Sequence, residues 1–315
     1  MIRIPTSSRW IPLCVLLTPL FSAGQVFAEA PSSRGTETCP ITIAAEPSQA
    51  VLGGGVTGAD FFGQDLDINR HGVVTFFGDL LSDPSNQAIL TSGPAGLQAI
   101  VRGCGSGGGE GSTGTCGDPS PLGGTFSGLF GGSLGPRIND AGDVLFFSDM
   151  VGGSSTRGLF VHRAATGSIE TVVAVGDPSP LGNTIAEFGM GAIDSRGEVV
   201  FLARDLKVSG FKSQTYLARW RAGGLEKVAA AGDIAPDGST FVEFSILAEE
   251  QVDGTAIPVL PRPFVDEKGT VVTLAESTGT GPGMLSVTRD GVMTWLVQEG
   301  DASPAGGTFL FPSSG

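Results

Sequence analysis

The chain has 315 residues, a formal net charge of −14 and 50 glycines. Acidity of this degree disfavours nucleic acid and anionic membrane as partners, while a 40% apolar content supplies a packed core. Histidine is scarce, with two in the whole chain, so general-base chemistry has little material to work with.

The first residues read as an export leader. Arg3 and Arg9 give a positive region, Trp10–Phe21 an apolar stretch broken by Pro12 and Pro19, and Val26-Phe27-Ala28 a small-residue cleavage site. That stretch is too short and too proline-rich to span a bilayer. Cys14 follows Pro12-Leu13 instead of the small residues that precede a lipidated cysteine. The expected organisation is a signal peptide over 1–28, an N-terminal segment over 29–50 and a β-repeat domain over 51–315. Secretion or display at the cell surface follows, with no membrane insertion after cleavage.

Within 29–50, Ile41–Ala45 reads as a closing strand and Glu46-Pro47-Ser48 as a worn turn. From there a motif returns four times: Ile68-Asn69-x-x-Gly72, Ile138-Asn139-x-x-Gly142, Ile193-Asp194-x-x-Gly197 and Val265-Asp266-x-x-Gly269. Asx at the first position and Gly at the fourth form a type I turn, and each turn feeds a β-branched or aromatic run. A second motif keeps step, from Gly117-Asp118-Pro119-Ser120-Pro121 through the runs opening at Gly176, Gly232 and Gly300. Asp-Pro is expected to begin that turn.

Between these signals the repeat opening at Gly117 has strands at Thr125–Leu129, Val144–Phe147, Gly158–His162 and Ile169–Val175. The other repeats fill the third slot with Gln87–Leu90, Thr215–Trp220 and Met284–Thr288. Leu97–Val101, Leu225–Ala231 and Met293–Gln298 fill the fourth. Four short strands per repeat of about 55–70 residues predict an all-β, β-propeller-like array, with tandem β-sandwiches as the alternative. The array enters a fifth repeat at Gly300 and the sequence given stops at Gly315. A closed ring would hide its edges, so either the terminal pieces complement each other in one blade or the array is truncated. The missing second and third strands favour truncation.

Cys104 and Cys116 bracket a Gly/Ser loop, and export permits a disulfide between them. Closing so short a loop contributes roughly 3 kcal/mol. A metal site there lacks further ligands at suitable spacing. Cys39 is left over.

Asn69, Gly72 and Phe76, like Asn139, Gly142 and Phe146, fit the signature Asn-x-x-Gly-x-x-x-Phe. Asp194 and Asp266 replace Asn in the later copies, and Thr273 replaces Phe in the last. From about Val51 onward the chain resembles the bacterial choice-of-anchor tandem repeat NxxGxxxF-containing proteins. That resemblance implies export and cell-surface attachment, and it carries no established activity and no catalytic residues.

Asp65, Asp67 and Asn69 alternate oxygen ligands as at the start of a calcium loop. Gly72 falls two positions too late and no bidentate acid follows, so calcium is a weak candidate and no cofactor is expected. Gly131-Gly132-Ser133-Leu134-Gly135 copies a nucleophile elbow, but Pro136 and a turn follow it where a helix is needed. Glycines at 103, 105 and 108 mimic a dinucleotide fingerprint without its βαβ unit. His71 and His162 read as solvated surface groups, and Tyr216, Trp220 and Trp295 as core, with Trp220 beside Arg219 and Arg221 a remote sugar-stacking platform.

The residues describe an exported, non-enzymatic binding or structural surface module for an extracellular or cell-surface ligand. Specificity is expected in non-repeating loops: Cys104–Cys116, Ser82–Asn86, Lys207–Ser213 and Thr255–Pro263. The rival is a propeller-type glycan-active hydrolase or lyase with its site where the strands converge.

Overall fold

The computed structural model describes residues 49–52, 56–57, 66–81, 86–104, 117–129, 135–205, 214–221, 224–244, 248–252, 255–259 and 262–311. Every regular element among them is a β-strand. In the first sheet, β1 (Val56–Thr57) and β2 (Asp67–Ile68) share one edge of β3 (Val74–Leu81), which pairs β4 (Asn86–Gly93), which pairs β5 (Gly96–Cys104). The second sheet repeats this with β6 (Thr125–Leu129), β7 (Arg137–Ile138), β8 (Val144–Val151), β9 (Arg157–His162) and β10 (Ile169–Ala174). The third uses β11 (Ile185–Phe188), β12 (Ala192–Ile193), β13 (Val199–Asp205), β14 (Thr215–Arg221) and β15 (Gly224–Ala230). The fourth begins with β16 (Phe241–Glu243), and a separate hairpin of β17 (Ala248–Val252) and β18 (Thr255–Val259) follows it. It then continues through β19 (Phe264–Val265), β20 (Val271–Ser277), β21 (Gly281–Val287) and β22 (Met293–Gln298).

All described pairings between strands are antiparallel, and the protein is a β-propeller-like array of four-stranded sheets. The strand slots match the sequence reading with two corrections. The innermost strand is split in two, because the Asn-x-x-Gly turn is itself a hairpin. Asn139 N donates to Asp143 O at 3.1 Å and Gly142 N to Asn139 O at 3.0 Å, so Ile138 must pair Val144. Thr255–Pro263 is not simply a variable loop, since its first five residues pair with β17.

The Gly-Asp-Pro-Ser-Pro turn also differs from expectation. Ser120, not Asp118, opens the tight turn: Gly123 N donates to Ser120 O, and Leu122 N donates to Ser120 Oγ. Asp118 instead accepts the Arg102 amide at 2.8 Å and so clasps the outer strand it has just left. Asp177, Asp233 and Asp301 accept the amides of Ala174, Ala230 and Gln298 in the same way. In the first copy the clasped pair is 16 residues apart, against three in the others. The Cys104–Cys116 loop is therefore an insertion into a conserved turn geometry.

Packing runs from sheet to sheet. One core joins the first and second sheets through Phe77, Ile89, Phe126, Phe146 and Phe160, and the second and third share Leu159, Val173, Phe201, Tyr216 and Trp220. The third and fourth meet at Leu202, Leu217, Phe241, Val271 and Leu285. Phe126 meets Phe146 and Phe160 edge-on at 5.6 and 5.1 Å, a geometry worth about 0.5–1.5 kcal/mol per pair beyond burial. Because β8 and β13 are covered on both faces, their side chains are buried almost without alternation. β20 alternates buried and half-buried, the pattern of a strand covered on one face.

Candidate functional site

The short inner strands meet in succession, β2 with β7, β7 with β12 and β12 with β19, so they line the axis of the array. Their turns use nearly all of their polar atoms on backbone. Asn69 Oδ1 accepts from His71 N and Val73 N within its own turn, while Asn69 Nδ2 donates to Asn139 O of the next sheet at 3.1 Å. Asn139 repeats both roles, taking Asp143 N and donating to Asp194 O at 3.0 Å. Asp194 and Asp266 hold their own turns through Oδ1. Gly72, Gly142, Gly197 and Gly269 close these turns as expected.

Aspartate has no amide donor, so the link from third sheet to fourth passes to another residue. Arg219, almost fully buried, donates to Gly269 O at 3.2 Å and to Arg289 O at 3.3 Å. Asp194 Oδ2 is buried with no hydrogen-bond donor among the described residues and lies 3.6 Å from where a Cβ on Gly269 would stand. Asp194→Asn supplies the missing donor to the fourth turn. It is expected to raise stability by about 1 kcal/mol, read as an increase in denaturation midpoint without a change in slope.

A ring of ion pairs flanks the turns. Arg163 reaches Asp143 and Glu170, each at 2.9 Å, and Glu198 takes both Arg221 and Arg289. Arg163 also covers the Trp220 ring, 5.4 Å from its centroid. With 4% exposure, Trp220 presents no face to a sugar; it is core, as are Tyr216 and the partly buried Trp295.

His71 is exposed, but His162 is not the solvated group expected from sequence. It pairs Val144 at the end of β9, and its Nδ1 is buried with no partner among the described residues. Burial lowers its pKa from the usual 6.5, partly offset by Asp143. The unfolded chain therefore takes up a proton that the folded one resists, and stability falls as pH drops below 6.5. Chemical denaturation across pH 5–8 is expected to show this slope, and His162→Gln to flatten it.

The axial residues that do not repeat occupy the position before each repeated Ile or Val: Asp67, Arg137, Ala192 and Phe264. Asp67 takes Ile68 N on one oxygen at 3.0 Å and Ile138 N of the next sheet on the other at 2.9 Å. Burial raises its pKa, against the pull of those amides and of the Arg262 charge. Arg262 lies two residues before Phe264 of the fourth inner strand. Arg137 is buried and donates through Nη1 to Pro136 O at 3.0 Å. Phe264 is 62% exposed, with the Arg262 guanidinium 5.7 Å from its ring centroid.

For the weak calcium candidate, Asp67 and Asn69 already bond backbone amides through the oxygens a cation would need, and Asp65 lies outside the described residues. Gly131–Leu134 and the specificity loops 105–116, 82–85 and 206–213 also lie outside them. Cys104, at the end of β5, is disulfide-bonded. Cys116 and Cys39 lie outside the described residues. Arg262 falls inside the expected specificity segment Thr255–Pro263, whereas Phe264, one residue beyond it, was missed from sequence; the signal that finds it is the inner-strand position before each repeated Ile or Val, where the repeats disagree.

Fold and axis together define an all-β, propeller-like repeat protein. The chain belongs to the family of unknown function DUF7453, whose model matches residues 40–313. No curated protein matches it. Among solved structures it is similar to an endo-arabinase from Bacteroides thetaiotaomicron, at 14% identity over 72% of this chain and 75% of that one, with a TM-score of 0.31. A protein of unknown function from Dyadobacter fermentans matches at 14% identity over 73% and 67%, TM-score 0.33. A GH43 glycoside hydrolase whose active site was engineered to display both endo-xylanase and exo-arabinofuranosidase activity matches at 11% over 76% and 45%, TM-score 0.29.

Proposed function

We propose that the chain is an exported, non-enzymatic binding module displayed outside a bacterial cell, and that its ligand meets the axial mouth formed by Asp67, Arg262 and Phe264. The observation that supports this is how the polar atoms are used. The carboxylate and amide groups of the repeated turns are tied to backbone, and Asp67 engages both its oxygens with amides. A carboxylate held in this way is a fixed acceptor, poorly placed to transfer protons or to attack carbon. An exposed phenylalanine flanked by a guanidinium offers a stacking face with a charged edge, which suits recognition.

The signal peptide, the Cys104–Cys116 bridge and attachment at the surface belong to this reading, which is supported by the Arg3/Arg9 leader and the repeat resemblance. The test is to incubate the mature protein with a panel of extracellular polysaccharides, arabinan and xylan among them, measuring both retention and new reducing ends. Retention without new reducing ends is expected, and Phe264→Ala should lose it. New reducing ends would favour a glycan-active enzyme.

A further inference from the structure

The third repeat breaks the pattern twice, and the two departures meet. The strands after the Asn-x-x-Gly turns keep step residue for residue, so Leu80, Met150, Asp205 and Ser277 hold one position. In the first two sheets that position is a buried apolar side chain, and in the fourth a serine hydrogen-bonded to Asp237 and Thr280. In the third it is Asp205, 2% exposed. Two residues earlier, Gly78, Ser148, Ala203 and Ala275 pair with Ala88, Gly158, Tyr216 and Gly283 on the next strand. The third sheet alone places a large side chain at that partner position, and Tyr216 is completely buried.

Side chains alternate along a strand, so Asp205 and Ala203 share one side of β13. Tyr216 pairs Ala203 and packs in the core between the second and third sheets. Asp205 and Tyr216 are therefore diagonal neighbours on that face, a separation an aromatic side chain spans. A third polar group comes from the turn before β11. In the second sheet Ser120 Oγ takes Leu122 N and lies 3.0 Å from Met150 Sδ. Ser179 Oγ, in the third sheet, takes Leu181 N in the same way, and Asp205 is the counterpart of Met150. Burial holds the Tyr216 hydroxyl well above its usual ionisation range, with Ser179 pulling it down and Asp205 pushing it further up.

This cluster lacks a positive charge. Both Asp205 carboxylate oxygens and the Tyr216 hydroxyl oxygen are buried without a hydrogen-bond partner among the described residues. Arg204, next along the strand, belongs to the opposite side and is taken by Glu187. A buried carboxylate needs its charge offset and its lone pairs filled. We infer that Asp205, Tyr216 and Ser179 bind a sodium ion between the second and third sheets. One carboxylate balances one positive charge, and the two hydroxyl oxygens add hard, neutral ligands. A divalent ion would leave an unbalanced positive charge beside Ile185, Phe201 and Ala203. The site is built on β11, β13 and β14 and shares no residue with the axial mouth.

The test exchanges sodium chloride for choline chloride at constant total salt and follows thermal unfolding of the mature protein. Sodium is expected to raise the melting temperature of wild type by about 2–4 °C, because an ion that binds only the folded state stabilises it. Asp205→Leu, which restores the side chain the first repeat carries at Leu80, should fold and lose that response. Tyr216→Phe keeps the ring, removes one ligand and should weaken it. Relaxation of the sodium NMR signal reads binding without unfolding, and its protein-induced broadening is expected to fall in Asp205→Leu. Asp205→Asn gives the same comparison if leucine disturbs folding. A wild type indifferent to the exchange overturns the inference. So does a sodium response that survives in the Asp205 variants, which would place the ion on the acidic surface. Stabilisation by calcium and not by sodium overturns it as well.

Discussion

Asn139→Asp is expected to destabilise the protein by about 2–3 kcal/mol, although the side chain changes by a single atom. Asn139 is 5% exposed, and its Nδ2 is the donor that joins the second turn to Asp194 O of the third. Aspartate keeps the Oδ1 bond to Asp143 N but removes the donor. It also puts a carboxylate oxygen in place of an amide nitrogen 3.4 Å from Asp143 Oδ2. The Asp194 carbonyl is then left buried against a like partial charge. The loss should shrink as pH falls toward about 4, because a protonated carboxyl can donate again. Asp266→Asn, at an exposed turn, is expected to stay within about 0.5 kcal/mol of wild type. Urea midpoints of the two variants check the pair.

Gly124→Ala is expected to cost about 4 kcal/mol. Gly124 has φ +65, and a Cβ there would stand 2.0 Å from Val151 O and 2.6 Å from Gly152 C, both backbone atoms that cannot swing aside. Left-handed strain of about 1–2 kcal/mol adds to overpacking of about 1–3. Gly307 occupies the same place in the last turn, with φ +79 and no atom within 4 Å of its Cβ position. Gly307→Ala should therefore cost only about 1 kcal/mol. Similar losses at the two sites, by thermal unfolding, would mean the turns do not approach their sheets as described.

Much of the fold was legible because turn chemistry is local. Asn at the first and Gly at the fourth position specify a hairpin whatever surrounds them, and the β-branched runs after them can only be strands. Asn69 Nδ2 was not legible, since its acceptor lies 70 residues away and appears only once the sheets stand side by side. Arg219 was invisible for the same reason: its role exists because Asp194 cannot donate. Asp118 was assigned to the wrong end of its turn, because its carboxylate reaches back to a strand already completed. His162 was read as solvated because an isolated histidine beside an arginine looks exposed until β8 and β10 pair on either side of it. Arg262 lies in a segment expected to vary, Thr255–Pro263, but Phe264 was not legible, because it sits on a short inner strand beside a repeated position and local pattern gives it to the core.

The measurement that bears most directly on this account compares Phe264→Ala and wild type for retention on the polysaccharide panel, reducing-end release and melting temperature together. Phe264 is largely exposed, so its loss should leave the melting temperature nearly unchanged. The account predicts that wild type is retained without releasing reducing ends and that the variant is not retained. Retention undiminished in a normally folded variant, or release of reducing ends by wild type, would contradict it.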